Sequence, residues 1–92
     1  MKPNLKIADA GNVAVPAYLA LLKKGYVVRC DRGVGDPGET WIAESDTTEL
    51  LAGDTLALLG LAALAESRGP DWKASDEQIQ DFLKTFGYED VI

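Results

Sequence analysis

The chain has no histidine, one cysteine, two phenylalanines and fewer bases than acids. Without histidine there is no general base titrating near neutral pH, and the commonest zinc ligand is missing. Hydrolase triads built on a histidine are excluded. A single cysteine, Cys30, rules out an intramolecular disulfide and fits a reducing compartment. No apolar run approaches the roughly 20 residues a bilayer span needs; the most apolar stretch runs only from Thr55 to Ala65. Met1-Lys2-Pro3-Asn4 opens onto no long apolar segment, so neither a signal peptide nor a membrane anchor is expected, and the expected location is cytoplasmic. Nine bases against fifteen acids leave a net charge of −6. Such a surface repels nucleic acid and anionic membrane and would suit a basic protein partner, or serve solubility.

What is present reads as one ordinary globular domain over residues 1–92. Apolar residues make up 47% and charged residues 26%, a balance that supports a packed core rather than disorder. A chain of this length buries roughly 60–65% of the surface it exposes when unfolded, enough for one core and little more.

Leu5-Lys6-Ile7-Ala8-Asp9 alternates apolar and polar residues, as a short half-buried strand would. A helix is expected from Pro16, with Tyr18, Leu19 and Leu22 on one face and Gly25 as its stop. Gly11 and Asn12 precede it. Neither the G-x-G-x-x-G fingerprint nor a P-loop is present, so they read as a turn rather than a phosphate cradle. Tyr26–Asp31 and Thr40–Glu44 read as strands paired antiparallel through a glycine-rich loop. Asp46–Glu49 matches a capping box and could open a helix. Gly53 and a fresh cap at Asp54 favour instead a short strand, Glu49–Ala52.

Thr55–Ser67 is the strongest helical pattern. It is apolar on so much of its circumference that burial on more than one side is expected, Leu59 included. Arg68-Gly69-Pro70 ends it, and Ser75-Asp76-Glu77-Gln78 is a second capping box. The helix it opens carries Ile79, Phe82, Leu83 and Phe86 as a stripe expected to cover the central helix, with a partner-binding face as the alternative. The order β-α-β-β-(β)-α-α predicts an α+β, two-layer domain, a small mixed sheet packed against helices.

The segment Asp31–Glu39 holds the best candidate chemistry, with Asp31, Asp36 and Glu39 around Arg32 on a glycine-rich loop. Its spacing is not that of an EF-hand, and aspartate, glycine and proline are what any hairpin loop uses. No metal, cofactor or catalytic residue is therefore assigned. With Glu44 and Trp41, the same acids form the candidate partner-binding rim. Three readings follow: a non-enzymatic, immunity- or inhibitor-like protein that masks a basic surface; a carboxylate or divalent-metal enzyme centred on residues 31–39; and a structural homodimer joined through a sheet edge.

Leu58-Leu59-Gly60-Leu61, Leu64, Arg68-Gly69 and Trp72, followed by the Ser75–Gln78 helix start, resemble the C-terminal segment of small bacterial proteins to which no activity is attached. The resemblance implies no functional residue. As a small, acidic, histidine-free α+β chain, the protein is also similar in kind to bacterial immunity proteins.

Overall fold

Pro16 stands in the first turn of helix α1 (Ala14–Lys23), where a missing N–H costs nothing. A single 3-10 turn, Gly11–Val13, leads into it. The helix ends in a Schellman arrangement: Tyr26 N–H donates to the Leu21 carbonyl at 3.1 Å and Gly25 N–H to that of Leu22 at 3.0 Å. Gly25 takes φ +96°, which a side chain would resist. The motif also joins Leu21 to Tyr26, and both enter the core. The computed structural model describes residues 4–32 and 38–87.

Strands β1 (Val27–Asp31), β2 (Thr40–Glu44) and β3 (Glu49–Ala52) form an antiparallel sheet in chain order. Val28 faces Ala43 and Ala43 faces Leu50; Cys30 faces Trp41 and Trp41 faces Ala52. These residues make the inner face, because side chains alternate along a strand. The β2–β3 turn closes with Ser45 N–H donating to the Thr48 carbonyl at 2.8 Å. Helix α2 (Thr55–Arg68) follows, capped by Asp54, whose carboxylate accepts from Ala57 N–H at 2.7 Å. Helix α1 packs on α2 and β1, and α2 packs on β2 and β3. The core is Leu21, Tyr26, Ala43, Leu58 and Ala62, with Val28, Trp41, Leu50, Ala52 and Leu59 packed around it. Buried Thr55 donates its hydroxyl to the Ala14 carbonyl at 2.7 Å and so ties the starts of the two helices together.

The α+β class and two-layer arrangement agree with the sequence, as does the strand at Glu49–Ala52. Three expectations need correction. Leu5–Asp9 is no strand; it is exposed and joins no sheet, so the sheet is antiparallel throughout rather than mixed. A five-residue alternating pattern becomes a strand only if a neighbour accepts its hydrogen bonds, and none does here. Leu59 is only half-buried, and Leu58 is the α2 leucine that is wholly enclosed. Helix α3 (Asp76–Thr85) does not cover α2: Ile79, Phe82 and Phe86 are exposed and Leu83 is half-buried.

The chain's path explains that last difference. A 3-10 turn at Gly69–Asp71 redirects it, with Gly69 at φ +63°. The Arg68 guanidinium then donates to the carbonyls of Trp72 at 2.9 Å and Lys73 at 3.3 Å. These bonds hold the connection against the end of α2, and α3 continues beyond the core. The Cα radius of gyration is 16.3 Å, against about 12 Å for a compact domain of this length.

Candidate interaction surface

The acids singled out at the β1–β2 hairpin do not converge. Asp31 is exposed at the end of β1, opposite Thr40. Glu39 accepts from Arg32 at 3.0 Å and from the Trp41 indole N–H at 3.3 Å. Glu44 pairs with Arg29. Residues 39 and 44 lie roughly 16 Å apart along the strand, at about 3.3 Å per residue. Asp36 lies outside the described residues. Two of the remaining three carboxylates thus already face a guanidinium, which reduces the field a partner would feel. Trp41 is half-buried and its ring packs against the core, so it anchors the sheet. Cys30 is half-buried on the same inner face. Among the described residues, no group of three or more cysteine, aspartate or glutamate side chains could hold a metal ion. No helix among them is long and apolar enough to cross a membrane.

The outer sheet face carries Val27, Arg29, Thr40, Ile42, Glu44 and Leu51. Ile42 is buried on this face, flanked across the strands by Arg29 and Leu51.

Exposed apolar side chains lie on the N-terminal segment (Leu5, Ile7), on α1 (Val15, Leu19, Leu22) and on α3. Ser75 and Gln78 form a reciprocal capping box at the start of α3: Gln78 N–H donates to the Ser75 hydroxyl, and Ser75 N–H to the Gln78 side-chain carbonyl. Asp76 and Glu77 occupy the first turn and Lys84 the last, each where the helix dipole favours its charge. The helix is therefore well founded locally. At 100° per residue, Ile79, Phe82, Leu83 and Phe86 form one stripe, and Glu77, Asp81 and Lys84 lie on the opposite side. The Phe82 and Phe86 rings stack in tilted fashion with centroids 4.9 Å apart. Ile79, Phe82 and Phe86 are 44%, 57% and 63% exposed.

Beside the root of α3 lies a groove between β3 and α2. Leu50, Leu51, Leu61, Leu64, Ala65 and Trp72 line it, Glu49 stands at its edge, and its volume is about 290 Å³. Trp72 is half-exposed, with the Lys73 ammonium 5.6 Å from its ring centroid. Periodicity finds the α3 stripe, but periodicity alone marks it as core. A signal that points outward is the Arg68-Gly69-Pro70 break.

Comparison with protein-family models, with curated proteins and with solved structures finds no match.

Proposed function

We propose that the chain is a non-enzymatic protein-binding module that docks through α3. One observation carries this reading: a helix capped at its start and charge-matched at both ends presents Ile79, Phe82 and Phe86 to solvent. An exposed apolar patch of a few hundred Å² matches the largest patch on a typical monomer, which is often functional. An amphipathic helix docking by residues at i, i+3, i+4 and i+7 is a common mode of recognition; here those are Ile79, Phe82, Leu83 and Phe86. Enclosing these side chains supplies roughly 1.5–3 kcal/mol each before the cost of association is subtracted.

The inhibitor-like version, in which acids at residues 31–44 mask a basic partner, draws on the net charge of −6. It draws less from the hairpin, where Glu39 and Glu44 are already paired with arginines. The α3 reading also assigns the acids a role: on the side away from the stripe, Glu77 and Asp81 keep the helix hydrated while the stripe makes the contact.

The test places a photo-crosslinking amino acid at Phe82, and separately at Glu77 on the opposite side, in the full-length chain inside cells. Discrete protein adducts from position 82 and none from position 77 are expected. Position 82 giving no adduct, or both positions giving the same diffuse products, would refute docking through α3.

A further inference from the structure

Among the exposed apolar surfaces of the described residues, two lie side by side in the chain. One is the α3 stripe of Ile79, Phe82, Leu83 and Phe86; the other is the groove of Leu50, Leu61, Leu64, Ala65 and Trp72. Only Lys73, Ala74 and Ser75 separate Trp72 in the groove from the first residue of α3. Within one chain the two surfaces do not meet, because Arg68 fixes the connection at Trp72 and Lys73 and the helix runs on past it. Resting on the docking reading above, we infer that the occupant is a second copy of this chain. Each α3 lies in its partner's groove, in a reciprocal two-fold pair.

Area favours this occupant. The exposed parts of Ile79, Phe82 and Phe86 amount to roughly 300 Å², taking about 200 Å² for a whole aromatic side chain. That is less than half of the ~800 Å² per partner that a stable interface needs. In a two-fold pair each copy contributes both helix and groove, so Trp72 and the leucines join the same patch. The apolar area rises to roughly 500 Å² per copy, and a polar rim brings it near the standard size. Closure also matters: an isologous contact satisfies both surfaces on both chains and leaves nothing to propagate into a filament.

Charge is compatible with the arrangement. Glu77 and Asp81 lie opposite the stripe and so point away from the contact. Asp76 alone among the α3 acids flanks the stripe, and Arg68 and Lys73 stand at the groove's end beside Trp72. Glu49 in the groove's lining, and Asp71 before Trp72, carry the opposing charge. The contact is mainly apolar, so added salt should not dissolve it.

The experiment is sedimentation velocity on the full chain from about 5 to about 200 µM, since mass action sets the dimer fraction. The chain should sediment at twice its monomer mass, and Phe82→Asp in the stripe should weaken association at least ~10-fold. Leu64→Lys in the groove should do the same; Trp72→Ala replaces it if Leu64→Lys does not fold. Mixing decides reciprocity. Phe82→Asp and Leu64→Lys chains are each defective at both contacts of their own dimer, whereas their mixture retains one intact contact and should recover dimer. A wild-type monomer at every concentration overturns the proposal, as does a dimer indifferent to Phe82→Asp or a mixture that does not associate. These outcomes separate from failure of the docking reading itself. A monomer whose position 82 crosslinks to a different protein refutes only the second copy. A monomer in which Phe82→Asp lowers the melting temperature by several degrees means α3 folds back on its own groove, and both proposals fail.

Discussion

Replacing Leu58 by alanine should be the most damaging single truncation in α2. Leu58 and Leu21 are the largest side chains with no exposed surface. Removing three carbons from Leu58 forfeits roughly 2.5 kcal/mol of transfer free energy at about 0.8 kcal/mol per carbon. A cavity penalty adds to this. Two of the core neighbours, Ala43 and Ala62, have a single side-chain carbon each and sit on β2 and α2. Neither can extend into the gap, and moving either backbone would disturb the sheet or the helix. The expected loss is therefore about 3–4 kcal/mol, within the range measured for such truncations. A domain of this size holds about 5–10 kcal/mol in all. The melting temperature should fall by roughly 12–25 °C. Leu19 on α1, 55% exposed, is the internal control; Leu19→Ala should cost under about 1 kcal/mol. Urea unfolding followed by far-ultraviolet circular dichroism measures both, with an unchanged denaturant slope expected. A Leu58→Ala loss below about 1 kcal/mol, or a Leu19→Ala loss equal to it, would mean the core is not where Leu58 lies.

Asp54→Ala should cost about 1 kcal/mol by orphaning the Ala57 N–H, and Asp54→Asn should recover most of it. Thr55→Val should cost about 1 kcal/mol, since it removes the hydroxyl that joins α2 to the Ala14 carbonyl; a neutral result in thermal melts would make that bond dispensable. In a double-mutant cycle, the exposed Arg29–Glu44 pair should couple by less than about 1 kcal/mol, falling with salt. Millimolar calcium or magnesium should leave the melting temperature unchanged, as expected if the acids near residues 31–39 are loop residues. A shift of several degrees that disappears in Asp36→Asn would restore the metal-enzyme reading.

Some of this protein is determined by local chemistry and is legible without coordinates. Gly25 after Lys23-Lys24, Asp54 before Thr55 and Ser75 three residues before Gln78 mark helix boundaries, because caps act over three or four residues. The strands at residues 27–31, 40–44 and 49–52 follow from alternation and from the turn residues between them. Other features depend on what lies beside a segment in space. Leu5–Asp9 has a strand's alternation but no partner strand. Leu58, rather than Leu59, is enclosed because α1 and the sheet meet α2 from particular directions. The acids at 39 and 44 lose their field to Arg32 and Arg29. The Ile79–Phe86 stripe reads as core because periodicity records that a face is apolar and not what covers it. Only the tertiary structure, through the Gly69–Asp71 turn and the Arg68 bonds to Trp72 and Lys73, decides that this face stands open to solvent.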